Sequence, residues 1–128
     1  MNRPGIDQQI TFLFTPDLDV TAGFYGEILG LPLILDQGSC RIFQVGDGAY
    51  LGFCHHMKRA NQPEGIILTL VTSEVNAWFE FLLQQGIMIE KRPAMNVDFN
   101  IYHFFVHDPN GYLIEFQRFN DPLWPNKA

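Results

Sequence analysis

The feature that most constrains the fold is an internal repeat, because one order of elements can be traced twice along the chain. Hydrophobic periodicity and turn residues predict a strand, a helix and three further strands over residues 10–53, and the same order over residues 65–118. Each predicted helix ends beside a glycine, Gly30 or Gly86, which suits the left-handed residue that often follows a helix. The sequence therefore predicts two copies of one βαβββ module, joined by a polar linker at 56–64.

Local signals place the individual elements. In the first module, Val20, Phe24 and Ile28 recur on one face of a helix over 19–29. In the second module, Ser73 can cap the helix. The predicted strands occupy 10–15, 33–36, 40–45 and 49–54 in the first module, and 65–71, 87–91, 100–107 and 112–118 in the second.

Composition narrows the class of protein. Hydrophobic residues make up 47% of the chain and 12 residues are Phe, so residues 1–128 are expected to form a packed single domain and not a disordered chain. A net charge of −6 lacks the basic footprint of a nucleic-acid-binding protein. No apolar run reaches the roughly 20 residues that span a bilayer, and residues 1–7 do not form a signal peptide. We therefore expect a cytoplasmic protein without nucleic-acid or membrane contacts.

Two motifs resemble those of a known family. The string FYGEILGL at 24–31 resembles the FYxxxLGL signature of the vicinal-oxygen-chelate superfamily, which contains glyoxalase I, extradiol dioxygenases, and bleomycin- and fosfomycin-resistance proteins. The string DPNGYLIEF at 108–116 resembles the DPxGxxIE hairpin that closes the same fold. The resemblance covers about residues 8–119. Module one then spans about 8–55, module two about 65–119, and a tail follows at 120–128.

The resemblance implies an α+β fold in which two tandem βαβββ modules form a curved mixed sheet around a U-shaped cleft. It also implies a small-molecule ligand in the cleft, usually with a divalent metal, and a homodimer. The family's metal ligands come from four strand positions, which fall here at Ile10, Gly52, Ile67 and Glu115. Only Glu115 carries a ligand atom, and one carboxylate leaves the other positions to water. We therefore predict no metal and no cofactor, with one divalent metal held weakly by Glu115 as the alternative.

Hairpin registers predict which side chains line the cleft, because directly opposed residues share a face. The predicted hairpins pair Arg41 with Gly52 and Phe104 with Glu115; in the second module, a bulge would reverse the faces. The predicted ligand-binding residues are Phe12, Phe14, Arg41, Phe43, Tyr50, Cys54, Thr69, Tyr102, Phe104, Glu115 and Gln117.

Arg41 and Glu115 are two polar residues for which the sequence leaves more than one role open. Arg41 binds a carboxylate or phosphate of the ligand, forms a salt bridge with Glu115, or lies solvated on an edge strand. Glu115 is either a general base, and then the best catalytic candidate, or the counterion of Arg41. His103 and His107 are expected on the face opposite Glu115, towards the helix, with His103 packed and hydrogen-bonded.

The remaining candidates are expected to be structural. Cys40 and Cys54 should face opposite ways and stay reduced, since the predicted register does not oppose them. His55 and His56 are adjacent at a strand end and are expected to be solvated. Trp124 in the tail should dock against a sheet edge, the cleft or a second subunit.

Three functions stay open at this point. The first is a protein that binds a small aromatic or anionic molecule without metal, as antibiotic-sequestering members of the superfamily do. The second is a metal-dependent lyase, isomerase or dioxygenase with ligands relocated around Glu115. The third is a dimerising structural or regulatory domain. No nucleophile–base pair or phosphate-binding loop identifies an enzyme.

Overall fold

The computed structural model describes residues 2–56 and 63–125, and the chain divides into two compact units, Met1–Gln62 and Pro63–Ala128. The division falls within the predicted linker 56–64, most of which lies outside the described residues. Among the described residues, no helix is both long and apolar enough to cross a bilayer.

The first unit is built on a four-stranded mixed sheet, called sheet I, with strand order β1-β4-β3-β2. Strand β1 is parallel to β4, and the other neighbours are antiparallel. The elements are β1 Gln9–Phe14, α1 Leu18–Ala22, a π-helical segment Gly23–Ile28, β2 Leu33–Asp36, β3 Cys40–Gly46 and β4 Ala49–Cys54.

The second unit repeats this arrangement in sheet II, with strand order β5-β8-β7-β6 and one parallel pair, β5 with β8. The predicted α+β fold with two tandem βαβββ modules is therefore confirmed at the level of the elements and their order along the chain. The elements are β5 Ile67–Val71, α2 Val75–Gln84, β6 Ile89–Asn96, β7 Ile101–His107 and β8 Leu113–Phe119.

The first helix departs from the predicted periodicity. Asp17 caps it, since its carboxylate accepts a hydrogen bond from the backbone amide of Val20. From Gly23 onwards the winding widens to a π-helix, so a face based on 3.6 residues per turn is not maintained. Phe24 and Tyr25 are both buried as a result, whereas Val20 is 53% exposed, so the face predicted from Val20, Phe24 and Ile28 is not the buried one.

The second helix ends before Gly86, as predicted, but it begins with a different cap. Ser73 does not cap α2; the N-cap residue is Glu74, whose side chain makes no capping bond. The Thr72 hydroxyl instead accepts from the backbone amide of Glu74, at 3.0 Å. The buried residues of α2 are Val75, Phe79 and Leu82.

Aromatic rings fill the space between each sheet and its helix, and this side of a sheet is called its helix-covered face. In sheet I, the Tyr25 ring stacks on Phe53 with ring centroids 4.4 Å apart. In sheet II, Phe116 stacks on both Phe104 and the α2 residue Trp78. Much of the Phe surplus is therefore core packing, worth about 3–5 kcal/mol for each ring lost to alanine.

The β3–β4 hairpin register differs from the bulge-free prediction. A bulge between Gln44 and Gly46 shifts β3 by one residue against β4. Arg41 consequently pairs with Phe53, not Gly52. The shift moves the odd-numbered residues of β3 to the helix-covered face.

The β7–β8 hairpin is shifted in the same way. The connection spans 108–112 instead of the predicted turn 108–111, and His107 pairs with Leu113. The Asp108 carboxylate stabilises the longer loop by accepting hydrogen bonds from the backbone amides of Asn110 and Tyr112, both at 2.8 Å. Every residue of β7 therefore lies on the opposite face from its prediction.

The C-terminal tail docks on its own unit. The Trp124 ring stacks on Phe119 at the end of β8, with centroids 3.8 Å apart and planes 16° from parallel. This contact agrees with the predicted docking of the tail and identifies β8 as the place. The last three residues of the tail, 126–128, lie outside the described residues.

Candidate functional site

The side of each sheet opposite its helix, called the helix-free face, holds most of the polar candidates. In sheet II, β5, β8 and β7 lie side by side, so the side chains of this face form three rows that run across the strands. The middle row contains Glu115, and the rows on either side of it contain His103 and His107. The residues of this face on the three strands are Ile67, Thr69, Val71, Ile101, His103, Phe105, His107, Leu113, Glu115, Gln117 and Phe119.

Four of these residues form a hydrogen-bonded group, called the carboxylate cluster: Thr69, His103, Glu115 and Gln117. The Thr69 hydroxyl donates to Oε1 of Glu115 at 2.7 Å. Nδ1 of His103 lies 2.6 Å from Oε2 of the same carboxylate. The Gln117 amide, oriented with its nitrogen towards Glu115, donates to Oε2 at 2.7 Å and to Oε1 at 3.1 Å.

Three of the four residues in the cluster are buried, whereas Thr69 is exposed. Glu115 and His103 are each 8% exposed, and Gln117 is 6% exposed. A buried carboxylate without partners is strongly unfavourable, so three donors on two oxygens explain how Glu115 is tolerated here. These donors also fix the plane and position of the carboxylate.

The carboxylate in turn orients His103. An ionised carboxylate only accepts hydrogen bonds, so Nδ1 of His103 carries the hydrogen in this contact. The other ring nitrogen, Nε2, has no hydrogen-bond partner among residues 2–56 and 63–125. A histidine held this way can accept a proton or a hydrogen bond at Nε2 when neutral, and donate one when protonated.

A cavity of about 470 Å³ lies at one end of the helix-free face of sheet II, a size typical of small-molecule sites. Ile67 and Leu113 line it, one row along the strands from Glu115. The third member of this row, His107, also lines the cavity. The remaining lining residues are Pro63, Glu64, Gly65, Ile66 and Gly111.

His107 is a cationic candidate at this cavity. Its Nε2 lies 2.7 Å from a carboxylate oxygen of Glu90, and this hydrogen bond is the main reason that the pKa of His107 is raised. Partial burial opposes the increase, and the backbone carbonyl of Gly111 adds to it. The predicted position of His107 on the helix side was wrong for the same reason as that of His103.

The helix-free face of sheet I is different in chemistry. Phe12 lies where Thr69 lies in sheet II, and it pairs with Gly52 on the parallel neighbour. The Phe12 ring covers Gly52 closely: a Cβ added to this glycine would fall 2.5 Å from two ring carbons. Phe14 and Tyr50 share this face, as predicted, and both are partly exposed.

Two predicted ligand-binding residues of sheet I lie on the wrong side for that role. Arg41 is on the helix-covered face, where it forms ion pairs with Asp19 at 3.0 Å and with Asp36 at 3.6 Å. Phe43 is 2% exposed and packs against the ring of Tyr25. The bulge in β3 causes both errors.

Two predicted residues of sheet II are likewise misplaced. Tyr102 reaches towards α2, where its hydroxyl donates to Asn76 at 2.6 Å. Phe104 is 0% exposed and packs edge-on against Phe79 of α2. His103 takes the place expected for them beside Glu115; the expectation that it would be hydrogen-bonded was correct.

Cys40 and Cys54 were predicted to face apart and stay reduced, and this prediction was wrong. The shifted register places them directly opposite each other, and they form a disulfide with Cα atoms 4.2 Å apart. Cys54 lies on the helix-free face, as predicted, but as part of this bond. His56 follows on the same side, with Nδ1 3.6 Å from Sγ of Cys40.

The residues around Glu115 do not fit the several-ligand metal site that the resemblance implies. Within sheet II, His103 offers one further ligand group and Ile67 offers none; Ile10 and Gly52, the two positions that the resemblance implies in the other unit, carry no ligand atom either. Divalent metal sites in proteins ordinarily use three or more protein ligands. Within the described part of the chain, no trio of His, Cys, Asp or Glu ligand atoms gathers around Glu115.

The comparisons with known proteins agree with this fold. The family model of the Glyoxalase/Bleomycin resistance protein/Dioxygenase superfamily matches residues 8–116, so the chain belongs to this superfamily. The search of the curated proteins finds no match.

Several solved structures share the fold. A glyoxalase/bleomycin resistance protein/dioxygenase from Nocardioides is 22% identical with a TM-score of 0.76, over 100% of this chain and 91% of that one. Lactoylglutathione lyase from Agrobacterium tumefaciens is 22% identical with a TM-score of 0.74, over 97% and 100%. A glyoxalase-related enzyme from Fulvimarina pelagi is 22% identical with a TM-score of 0.76, over 93% and 91%. At this level of identity, these structures support the fold alone.

Proposed function

We propose that this protein binds a small aromatic molecule with an anionic or hydrogen-bonding group, without a metal ion, on the helix-free face of sheet II. The observation that carries the proposal is the buried His103–Glu115 pair, 2.6 Å apart, on a face that is otherwise mainly apolar. A few fixed polar groups among apolar neighbours are the usual composition of a small-molecule site.

His103 is the polar anchor in this proposal. Glu115 holds its Nδ1, so Nε2 is the atom that contacts the polar group of the ligand. A protonated His103 would pair with a carboxylate of the ligand, and a neutral one would accept from a hydroxyl. Thr69 and Gln117 contribute by fixing the carboxylate that fixes the imidazole.

The apolar part of the ligand would lie against the side chains beside the cluster. Ile67 and Val71 are each 53% exposed, and Phe105 and Leu113 are partly exposed. Apolar surface at these positions favours an aromatic or aliphatic ligand body. The cavity lined by Ile67 and Leu113 offers room for it one row away from Glu115.

Binding without metal is supported by the donor set around Glu115. Both carboxylate oxygens already accept hydrogen bonds, and a metal would have to displace these donors. The neighbouring aliphatic residue Ile67 offers no replacement ligand.

The test is a thermal-shift screen with benzoate, salicylate and related aromatic acids, with and without a chelator. The expected result is a rise in Tm that chelation does not change, because ligand binding stabilises the folded state. His103→Ala should abolish the rise. His55→Ala replaces an exposed histidine of the other unit and should leave it unchanged. A rise that persists in His103→Ala, or one that needs metal, would contradict the proposal.

The second candidate is a metal-dependent lyase, isomerase or dioxygenase with ligands relocated around Glu115. The observation that favours it is that Glu115 has acquired a histidine partner, since a carboxylate and an imidazole are both common ligands. Elemental analysis after purification distinguishes the two candidates. Stoichiometric divalent metal that is lost in Glu115→Gln would support the enzyme and overturn metal-free binding.

We also propose that the protein is a homodimer, as superfamily members often are. Strand β2 lies at the edge of sheet I, and Leu33, Ile34 and Leu35 are about half exposed on it. An apolar edge strand is a surface that folded proteins usually cover. Light scattering should give a mass close to twice 14.7 kDa, and Ile34→Lys should shift it towards the monomer.

A further inference from the structure

A second group of reactive side chains lies at the end of the hairpin in sheet I, in the other unit from the carboxylate cluster. Cys40 and Cys54 oppose each other across β3 and β4, and His56 lies two residues beyond Cys54. Nδ1 of His56 lies 3.6 Å from Sγ of Cys40, so the imidazole is on the same side as the sulfur atoms. The three ligand atoms all lie within 4.8 Å of one another.

This arrangement combines buried sulfur atoms with an accessible nitrogen. Cys40 is 7% exposed and Cys54 is 2% exposed, whereas His56 is exposed. Among the residues that the structure describes, these three form the one trio of His, Cys, Asp or Glu with ligand atoms this close together.

We propose that Cys40, Cys54 and His56 form a metal site for a thiophilic divalent cation such as Zn²⁺ when the disulfide is reduced. Two thiolates and an imidazole are ligands that favour zinc over the hard cations. Water from the exposed side of His56 would complete the coordination. The oxidised form seen here cannot bind the ion, because neither sulfur of a disulfide is a thiolate.

One distance already matches such a site. Zn–S bonds of about 2.3 Å and Zn–N bonds of about 2.0–2.1 Å in a tetrahedron place sulfur and nitrogen about 3.5–3.6 Å apart and two sulfurs about 3.8 Å apart. The Sγ of Cys40 already lies 3.6 Å from Nδ1 of His56. After reduction, the Cys54 sulfur reaches its place by rotation about χ1, with the backbone pairing of β3 and β4 unchanged.

Oxidation by a hydroperoxide would release the ion. With hydrogen peroxide, the two thiolates give up two electrons and form the S–S bond, while the O–O bond breaks and takes up two electrons and two protons. The products are the disulfide, two molecules of water and the free cation. Metal binding and the disulfide are then alternative states of one pair of cysteines.

Cobalt titration of the reduced, full-length protein tests the proposal. Co²⁺ bound by thiolates gives an intense charge-transfer absorption, and the chain contains just these two cysteines, so the band reports on this site alone. We expect the band to saturate at one equivalent of Co²⁺ and to fall when Zn²⁺ is added. Hydrogen peroxide should abolish it, and a thiol-free reductant should restore it.

Variants assign the ligands. Cys40→Ser should abolish the band, and His56→Ala should weaken Co²⁺ binding at least tenfold, because even outer partners of a metal ligand are worth about 10–100-fold in affinity. His55→Ala is the matched control, since His55 is adjacent in sequence but lines a different surface, together with Arg41 and Asp19, and it should bind as the wild type does.

Alkylation of the wild-type protein gives a measurement that does not depend on the folding of a variant. One equivalent of Zn²⁺ should slow the reaction of both reduced cysteines with iodoacetamide, as followed by mass spectrometry. The absence of a charge-transfer band together with unprotected cysteines would overturn the proposal. Equal affinity in His56→Ala and the wild type would overturn the three-ligand assignment.

Discussion

The helix-free faces of the two sheets are built on the same strand order but have opposite chemistry. In sheet II, Thr69 and Glu115 are neighbours on the parallel strand pair, and the carboxylate is buried among donors. In sheet I, the corresponding neighbours are Phe12 and Gly52, and an aromatic ring takes up the space of a side chain. One module thus presents a polar cluster where the other presents an apolar cover.

This difference shows that a few side chains determine the chemistry of a module. The backbone positions are the same, and the strands on either side of them follow the same order. A buried carboxylate requires donors from several strands, so Thr69, His103 and Gln117 are needed together with Glu115. The corresponding position in sheet I, Gly52, requires a single neighbour, because the Phe12 ring alone covers this glycine. A duplicated fold can therefore concentrate its polar chemistry in one half.

Of the changes expected to affect the stability of the two sheets differently, reduction of the disulfide should have the largest effect. Cys40 and Cys54 close a loop with a sequence separation of 14, and such a crosslink contributes about 3 kcal/mol to the free energy of unfolding. Hydrogen exchange, measured in the presence of a chelator, should show faster exchange in β3 and β4 and unchanged exchange in β7 and β8. Equal losses of protection in both sheets would mean that the two units unfold together.

The next effect concerns the carboxylate of sheet II. Glu115→Ala leaves Nδ1 of the buried His103 without its acceptor and also removes the acceptor of the Thr69 hydroxyl, so the free energy of unfolding should fall by about 2 kcal/mol. Urea unfolding followed by circular dichroism measures the change. The control is Glu80→Ala on the exposed side of α2, which should change it by less than about 0.5 kcal/mol. A loss no larger than that of the control would show that the cluster adds nothing to stability.

A smaller loss of stability is expected from replacing Gly52 of sheet I by a larger residue. Gly52→Ala places a methyl group against the Phe12 ring, so the ring must move and stability should fall by about 1 kcal/mol. Gly46→Ala is the matched control, because no atom lies within 4 Å of its added Cβ. In the double variant with Phe12→Ala, the extra loss from Gly52→Ala should vanish. Additive losses in this double-mutant cycle would contradict a direct contact.

The smallest effect should come from the second polar pair on sheet II, His107 with Glu90. The pKa of His107 lies above its usual 6.5, so the stabilisation is complete below about pH 6.5 and is lost as the pH rises through the raised pKa. Both side chains are at least 40% exposed, which limits the effect to about 0.5 kcal/mol. NMR titration should show a lower pKa for His107 in Glu90→Gln, and an unchanged value would exclude this contact.

The order of the elements could be predicted from the sequence because its signals are local. Strands 33–36 and 49–54 were predicted with the boundaries that the structure has, since alternating residues and turn residues mark them directly. Thr69 was also placed on the correct face, because it alternates with the aliphatic residues Leu68 and Leu70, which were expected to face the helix.

The remaining part of the site could not be predicted, because it depends on register. The bulge at Gln44 and the side-chain bonds of Asp108 each shift a hairpin by one residue, and one residue exchanges the two faces of a strand. His103 was therefore placed away from Glu115, and Cys40 away from Cys54. The signal that could have corrected the first error is Asp108 itself, because an aspartate at the start of a loop often accepts from amides further along it.

Each of the two tryptophans stacks on a phenylalanine ring, and their location has a practical consequence for spectroscopy. Trp78 on Phe116 and Trp124 on Phe119 both belong to the second unit, and the chain contains no third tryptophan. Tryptophan fluorescence, excited at the red edge of the protein absorption, therefore reports on the second unit, which contains Glu115, and not on the first unit, which contains the disulfide. The duplicated chain thus carries an intrinsic optical label on one of its copies, so that the two halves can be followed separately without adding a dye.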